Sequence, residues 1–314
     1  MGMGAEMSRD GNENKNSYWQ MEGQLDRIWS NLLTPIHRLL APAGSACLVC
    51  GKTIKERVPG YPELCLLCFS AIPWITRPRC RVCGRLVGCP DCSRSGGVER
   101  CFIMNRSSVA YSASMRNWLA QYKYRGHEAY GAILARMIGR AIGRMMQELH
   151  ELHELNELNE HKAVHPFFDA VTYVPLSEER WRERGFNQAE VLAKGAVLAG
   201  KRLGGRLPVV GLLRRSRHTD KQSFKSRHER LHNMQGVFQA LPEAVEQLAQ
   251  AISPAQTYFR RHSPSHRRNT IRLLLVDDVY TTGSTLNACA AVLQHICRQL
   301  GMPGEIYSLT WARS

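Results

Sequence analysis

The sequence has no apolar run long enough to cross a membrane. A membrane-spanning helix needs about 18 or more mostly apolar residues, and no stretch of these 314 residues approaches that length. The first 16 residues are polar and lack the apolar stretch of a secretory signal. Together these absences predict a protein that stays in the cytoplasm.

Acidic residues are scarce relative to basic ones. The chain carries 42 Lys and Arg against 27 Asp and Glu, a formal net charge of +15 at pH 7. The basic residues recur along the chain instead of forming one tail, which favours an extended surface that attracts polyanions. A solvated basic surface without a partner is the alternative, because net charge alone does not identify a ligand.

Cysteine is concentrated in one segment. Nine of the 11 cysteines lie between Cys47 and Cys101, and eight of these form Cys-x-x-Cys pairs. In a reducing compartment such pairs indicate metal binding instead of disulfides. Four thiolates fill every position of a tetrahedral zinc ion, which is typical of a structural site. The predicted ligands of two structural zinc ions are Cys47, Cys50, Cys65, Cys68, Cys80, Cys83, Cys89 and Cys92.

Two further points about the cysteines concern pairing and reactivity. The spacing leaves open whether consecutive or cross-braced pairs share a zinc ion. Cys101, Cys289 and Cys297 stand alone, and we expect them to be ordinary thiols, mostly buried.

Composition divides the chain into three parts. Residues 1–44 are predicted to be a disordered start followed by an amphipathic helix, and residues 45–95 a double zinc-ribbon module. Residues 105–314 alternate apolar runs with helical segments, which predicts a parallel sheet covered by helices on both faces. Inserts are predicted near 148–162, as a helical extension or flexible loop, and near 239–270, which ends as an exposed linker.

Individual elements follow from local patterns. One helix is predicted over Trp118–Met146, before the first insert, because apolar and basic positions alternate there at helical spacing. The other predicted elements are strands at 170–175, 209–213 and 271–276 and helices at 187–199 and 242–251.

The most informative segment lies between the apolar run 271–276 and a predicted helix from Leu286. It contains two adjacent carboxylates, Asp277 and Asp278, and then a turn of Thr281, Thr282, Gly283, Ser284 and Thr285. Backbone N–H groups and the positive end of the helix dipole make such a turn a phosphate site. A ribose diol with Mg²⁺ nearby would satisfy the carboxylates, which otherwise raise each other's pKa.

An ordinary strand cap followed by a Thr-rich helix start is the alternative interpretation of this segment. The order and spacing of its residues make that alternative weaker. The Walker pattern of nucleoside triphosphatases is missing from the sequence, so an NTPase function has no support.

Residues 276–285 resemble the phosphoribosyl-pyrophosphate (PRPP) loop of type I phosphoribosyltransferases. With the cysteine module in front of it, the segment resembles the ComF family, whose members are tied to DNA uptake in natural competence. The likeness covers about residues 45–310 and implies an α/β type I phosphoribosyltransferase fold, a doubly wound parallel sheet. Further ComF-like stretches are Val174-Pro175-Leu176, Arg184-Gly185-Phe186-Asn187-Gln188, Lys123-Tyr124-Arg125-Gly126 and the spacing Gln222-x7-Arg230-x2-Asn233.

The resemblance implies roles for these residues. Asp277 and Asp278 would face the ribose hydroxyls, with Mg²⁺ bound alongside PRPP, and would be the catalytic residues of an active enzyme. Residues 281–285 would hold the 5′-phosphate, and the loop after Val174, Pro175 and Leu176 would face pyrophosphate. Phosphate or nucleic-acid contacts are expected of Lys123, Arg184, Arg214, Arg215, Arg227 and Arg230.

Three functions are compatible with the sequence. The first is a DNA-uptake protein that binds PRPP-like ligands or nucleotides and also single-stranded DNA. Other DNA-uptake proteins are possible partners of such a protein. The second is an active phosphoribosyltransferase that transfers 5-phosphoribosyl from PRPP to an unidentified acceptor, although no nucleobase-recognising hood is identifiable. The third is an adaptor that senses nucleotides without turnover.

Overall fold

The computed structural model describes residues 45–89, 92, 100–124, 128–154, 167–200, 207–216, 236–252 and 270–314. The chain divides into two compact units, Met1–Ser70 and Ala71–Ser314. This boundary separates the first four paired cysteines from the second four, whereas the three-part division of the chain stays a prediction. The predicted disordered start, the amphipathic helix predicted after it within residues 1–44, and residues 253–269 of the predicted linker lie outside the described residues.

The described part of the smaller unit consists mostly of turns. Isolated antiparallel bridges join Ala46 to Thr53 and Val58 to Tyr61. Helix α1 covers Leu66–Ser70, and its Phe69 ring lies 5.1 Å from the ring of Tyr61. Metal bound to the cysteines of this unit would supply folding energy that so few regular elements do not.

Among the described residues, four parallel strands form the central sheet of the larger unit. They are β1 (Asn105–Ala110), β2 (Ala170–Tyr173), β5 (Ile271–Tyr280) and β6 (Gly304–Arg313). Their order across the sheet is β1-β6-β5-β2. A separate antiparallel pair contains β3 (Leu213–Arg215) and β4 (Phe238–Ala240). The predicted α/β class with a parallel sheet is confirmed.

Helices pack on both faces of this sheet. Leu273 and Leu275 of β5 belong to one apolar cluster with Leu286 and Leu293, whereas Leu274 points to the opposite face, because side chains alternate along a strand. Burial on both faces explains the continuous apolar run of β5. The helices are α2 (Ala113–Tyr124), α3 (Glu128–Glu154), α4 (Glu178–Arg184), α5 (Gln188–Gly200), α6 (244–252) and α7 (Ser284–Gln299).

Three predicted boundaries are wrong. The strand predicted at 209–213 lies instead at Leu213–Arg215, where it pairs with β4. The single helix over Trp118–Met146 is two helices, α2 and α3, which the periodicity did not separate because both bury apolar side chains at helical spacing. Strand β5 does not end at Val276 but continues to Tyr280, because its ladder with β6 extends to the pair Tyr280 and Arg313.

Part of each predicted insert belongs to regular structure. Residues 148–154 continue α3, and Leu149 among them is buried. Residues 244–252 form α6, whose Ala244, Leu248 and Ile252 are buried in the core. Within the described part of the chain, no helix has both the length and the apolar character needed to cross a membrane.

Candidate functional site

The eight paired cysteines form two groups of four. Within each group the sulfur atoms all lie within 4.8 Å of one another. Consecutive pairs share a group, which decides the pairing that the sequence left open. The first quartet is Cys47, Cys50, Cys65 and Cys68, and the second quartet is Cys80, Cys83, Cys89 and Cys92.

The sulfur spacing fits tetrahedral zinc. Zn–S bonds of about 2.3 Å place neighbouring sulfurs roughly 3.8 Å apart. The sulfurs of Cys50 and Cys65 are 3.8 Å apart, and those of Cys83 and Cys89 are 3.5 Å apart. Both quartets are therefore compatible with structural zinc ions whose four positions are filled by protein.

Backbone N–H groups favour the thiolate form that zinc requires. The N–H group of Cys65 points to Cys47 Sγ at 3.4 Å. Burial raises the pKa of Cys47, but N–H donors from Cys65, Cys50 and Val49 outweigh that effect and lower the pKa to about 6. Burial and the neighbouring cysteines instead raise the pKa of Cys68 in the same quartet, so a metal ion would have to displace a proton there.

Asp278 is held by side chains from two helices. Its side chain, 11% exposed, forms an ion pair with Lys123 of α2. It also accepts a hydrogen bond of 3.1 Å from Gln188 Nε2 of α5. Burial alone would raise the pKa of Asp278, but Lys123 and Gln188 outweigh it, so the pKa lies below its usual value. Asp278 is therefore ionised at neutral pH.

Asp277 has the opposite electrostatic environment. Its Oδ1 accepts a hydrogen bond of 2.8 Å from the N–H group of Asp278. Burial, together with the negative charge of Asp278, raises its pKa to about 8. Of the two carboxyl groups, Asp277 is therefore the one that favours the proton, and a cation placed beside the pair would displace that proton.

Arg184 orients the amide that binds Asp278. Helix α4 ends after Arg184 because Gly185 adopts a left-handed φ of 73°, and the chain then turns into α5. This turn brings Arg184 Nη1 within 2.9 Å of Gln188 Oε1, while Nη2 donates to the hydroxyl of Tyr124 at 3.1 Å. The structure thus places Lys123 and Arg184 at the acidic pair, and their roles as phosphate or DNA contacts stay predictions.

The Thr/Gly/Ser turn joins β5 to the start of α7. Gly283 has a left-handed φ of 81° and has no side chain with which to cap the helix, whereas Thr282 Oγ1 accepts a hydrogen bond of 3.4 Å from the N–H group of Ser284, the first residue of α7. The hydroxyl oxygens of Thr282 and Ser284 are 3.0 Å apart, beside the first N–H groups of α7. The positive end of the dipole of this 16-residue helix favours an anion at this turn.

A cavity of about 630 Å³ brings two other predicted segments together. Pro175 and Leu176, which follow β2, line it together with Arg214 and Arg215 of β3. Val174 is not among its lining residues; its N–H group donates to the carbonyl of Val276 at 3.0 Å. Arg227 and Arg230 lie outside the described residues, and so does the whole spacing from Gln222 to Asn233.

Several side chains at these sites were not predicted. Gln188 belongs to one of the stretches that resemble the ComF family, but the resemblance assigned no role to it. Three further side chains connect the second quartet to the turn: Arg100, Tyr280 and Arg313. Their contacts with one another depend on how the strands pair, which only the fold reveals. The ladder partner of Tyr280 is Arg313. Knowledge of the pairing of β5 with β6 would therefore have placed Arg313 next to Tyr280.

The fold and these sites define a parallel α/β protein with two four-cysteine groups compatible with zinc ribbons. No protein-family model matches the chain. Competence protein ComFC of Bacillus subtilis (strain 168) is 25% identical over 294 residues, 89% of this chain and 97% of that protein. Competence protein ComFC of Streptococcus pneumoniae (strain ATCC BAA-255 / R6) is 25% identical over 261 residues, 79% of this chain and 93% of that protein. These two matches, which cover most of the chain, support its assignment to the ComF family.

Among solved structures, TT1426 from Thermus thermophilus is 19% identical, with a TM-score of 0.18. The match covers 46% of this chain and 74% of that protein. A TM-score this low does not establish a shared fold.

Proposed function

We propose that this protein acts in DNA uptake by binding a PRPP-like phosphorylated ribose at the turn between β5 and α7, and single-stranded DNA on its basic surface. The observation that carries the proposal is the contact of Lys123 and Gln188 with Asp278, at the end of the strand that leads into the turn before α7. The two similar competence proteins support a competence-related role.

The turn suits a phosphate group. Anions bind favourably at helix N-termini, where N–H groups point outward and the dipole is positive. The backbone at Gly283 carries no Cβ, and the hydroxyls of Thr281, Thr282 and Thr285 supply further donors. A 5′-phosphate at this point would place the ribose towards the end of β5, where its hydroxyls can donate to the carboxylates.

The two carboxylates also suit Mg²⁺. This ion prefers hard oxygen ligands and is usually held by one or two carboxylates together with substrate phosphates. Asp277 and Asp278 would hold it, and when bound it would neutralise charge on the diphosphate of PRPP. Lys123 keeps Asp278 ionised for this purpose, whereas Asp277 must release its proton.

The cavity beside β2 and β3 suits the pyrophosphate end of the ligand. Burial, together with the nearby Arg180, lowers the pKa of Arg215. An anion in the cavity would offset this destabilisation of the guanidinium charge. Pro175 and Leu176 line the same cavity, so the segment that the resemblance assigns to pyrophosphate lies beside a basic side chain.

An active phosphoribosyltransferase is the second candidate. The ionised Asp278, fixed by Lys123 and Gln188, favours it. A fixed negative charge near the ribose would stabilise the positive charge that develops on the anomeric carbon as pyrophosphate leaves. The acceptor would have to be found by testing nucleobases and other nucleophiles.

Calorimetry with Mg-PRPP, combined with a pyrophosphate-release assay on the same sample, tests the ligand part of the proposal. We expect binding in the wild type and a loss of roughly tenfold or more in affinity for Thr282→Val, since hydrogen bonds to charged groups contribute about 1.5–3 kcal/mol. Thr53→Val makes the same change at an exposed position of the smaller unit and serves as control. Absence of Mg-PRPP binding to the folded wild type would refute this part, and turnover would favour the enzyme.

Mobility shifts with single-stranded DNA test the other part. Binding that depends on phosphate neutralisation weakens steeply with salt. We therefore expect a shift at low salt that disappears as salt rises. No shift at the lowest salt would remove DNA from the proposal and leave the ligand site untouched.

A further inference from the structure

The side chain of Arg100 lies between the second quartet and the end of β5. Its Nη2 donates to Cys92 Sγ at 3.1 Å, and its Nη1 donates to the hydroxyl of Tyr280 at 2.8 Å. One guanidinium therefore contacts a predicted zinc ligand and the residue that immediately precedes the turn.

Arg313 makes a second connection from β6. Its Nη2 donates to Cys83 Sγ at 3.4 Å and its Nε to the carbonyl of Cys83 at 3.2 Å. Its Nη1 donates to the carbonyl of Thr281 at 3.1 Å, and its guanidinium lies 4.3 Å from the ring centroid of Tyr280. Because Arg313 is only 6% exposed, these contacts are shielded from water and comparatively strong.

The segment that follows Arg100 also packs on the turn and its helix. The N–H group of Cys101 donates to Asn287 Oδ1 at 2.8 Å, and Asn287 is in the first turn of α7. The Phe102 ring packs edge-on against Tyr280 at 6.2 Å. The chain leaving the second quartet thus contacts both sides of the turn.

Tyr280 in turn fixes the backbone of the turn. A Cβ added at Gly283 would collide with the hydroxyl of Tyr280. The hydroxyl that Arg100 holds therefore lies directly against the backbone at the start of α7, where the phosphate is proposed to bind. A movement of Arg100 or Tyr280 would change the position of that backbone.

We propose that the second quartet, acting through Arg100 and Arg313, holds Tyr280 and the turn in the conformation that binds phosphate. Arg100, Arg313 and Tyr280 are then positioning residues. Metal in the second quartet and a phosphorylated ligand at the turn favour each other's binding, because coupling between two sites is reciprocal. The ligand half of this inference rests on the proposed function.

The chemistry of the quartet explains how metal would act on the turn. Zinc keeps its four sulfurs as thiolates at fixed positions, and each guanidinium then has a negative sulfur as partner at Cys92 or Cys83. Loss of the metal removes the bonds that hold the four sulfurs together, so the arginines lose partners at fixed positions. The contacts of the arginines with Tyr280 and the turn would then no longer be held in place, although the residues of the turn are unchanged.

The test compares wild type with Tyr280→Phe and Arg100→Met in the full chain loaded with zinc. Tyr280→Phe removes only the hydroxyl that Arg100 holds, so the core should still pack. Arg298→Met, at an exposed position of α7, removes the same charge as Arg100→Met and serves as control. The readouts are Mg-PRPP affinity and the rate of cysteine alkylation, resolved by mass spectrometry for each quartet.

Both test variants should bind Mg-PRPP about fivefold or more weakly, the lower end of typical coupling between sites. Alkylation of the second quartet should accelerate at least about threefold, while that of the first quartet stays as in wild type. Saturating Mg-PRPP should slow alkylation of the second quartet in wild type. Arg298→Met should match wild type in every readout.

The inference is overturned if the variants match wild type in both affinity and alkylation. It is equally overturned if both quartets react faster together, since that pattern indicates general unfolding. Failure of the proposed function is distinguishable: wild type would not bind Mg-PRPP, while the alkylation rates of the second quartet would still show whether Arg100 and Tyr280 brace it.

Discussion

Asp277 and Asp278 are neighbours in the chain, yet their pKa values move in opposite directions. Lys123 and Gln188 contact Asp278 and keep it ionised, whereas burial and the charge of Asp278 favour the proton on Asp277. Two carboxylates that share a site in this way divide one charge between them. The residue pair is thus prepared for a cation or for the hydroxyls of a sugar.

Replacing Asp277 by Asn tests this arrangement. The folded pKa of about 8 lies above the unfolded value of 3.8, so the folded chain holds a proton that the unfolded chain has released. The contribution of Asp277 to stability therefore falls as pH rises between these values. Asn does not ionise and keeps the Oδ1 acceptor, so Asp277→Asn should be more stable.

The gain should grow from pH 6 to pH 8 and be on the order of 1 kcal/mol or more, because one pKa unit corresponds to roughly that free energy. Urea unfolding midpoints of wild type and variant across this pH range measure it. A variant that is less stable than wild type at pH 8 would show that Asp277 is ionised and favourably paired in the folded protein.

The segment from β5 to α7 could be predicted from the sequence, whereas β1 could not. An apolar run, two carboxylates and a Gly-containing turn are local signals. By contrast, β1 contains Asn105, Arg106, Ser107 and Ser108, all buried. These polar side chains are satisfied by distant partners: Ser107 with Thr310 at 2.6 Å, and Arg106 with Glu148. No local pattern marks a strand of this kind.

The same distinction applies to the candidate site. The turn and its carboxylates were predicted as a unit because they are contiguous. The ion pair of Lys123 with Asp278 joins α2 to β5, and the predicted single helix over Trp118–Met146 gave no reason to place Lys123 there. The contact of Gln188 with Asp278 could be predicted only from the path of the chain in the turn after α4. The position of Arg313 could be predicted only from the register of β6 on β5.

At the scale of elements, the turn and the basic segment near residues 214–230 should be separable. Thr282→Val is expected to weaken Mg-PRPP binding and to leave single-stranded DNA affinity nearly unchanged. Arg227→Ala combined with Arg230→Ala should instead reduce DNA affinity and its dependence on salt, by roughly one unit of slope for each DNA phosphate that is no longer neutralised. Salt titrations of DNA binding for both variants measure the difference.

Equal loss of DNA binding in Thr282→Val, with zinc content and folding unchanged, would show that DNA enters the ligand site. Gly283→Ala is less suitable for this experiment, because its Cβ would also displace Tyr280.

For the whole molecule, the two quartets belong to different compact units. The first lies within Met1–Ser70 and the second within Ala71–Ser314. Elemental analysis should give about two zinc ions per chain. Cys65→Ser should reduce this to about one and lower solubility, since a broken structural site loses folding energy.

Limited proteolysis of Cys65→Ser should then show faster cleavage in the smaller unit than in the larger one. The conservative change Ser45→Ala, next to the first quartet but outside it, is the control and should retain both ions. A fully soluble Cys65→Ser protein with wild-type resistance to protease would indicate that the first zinc ion is dispensable.

The position of β6 between β1 and β5 also has a consequence during translation. Asn105 of β1 and Ser308 of β6, which are ladder partners, are 203 residues apart in sequence. While the ribosome makes the intervening chain, β1 has one edge without its eventual neighbour, and unpaired strand edges promote aggregation. Sheets with such distant partners also form slowly. The nascent chain should therefore depend on chaperones until β6 has emerged, and slowing its synthesis should lengthen that dependence.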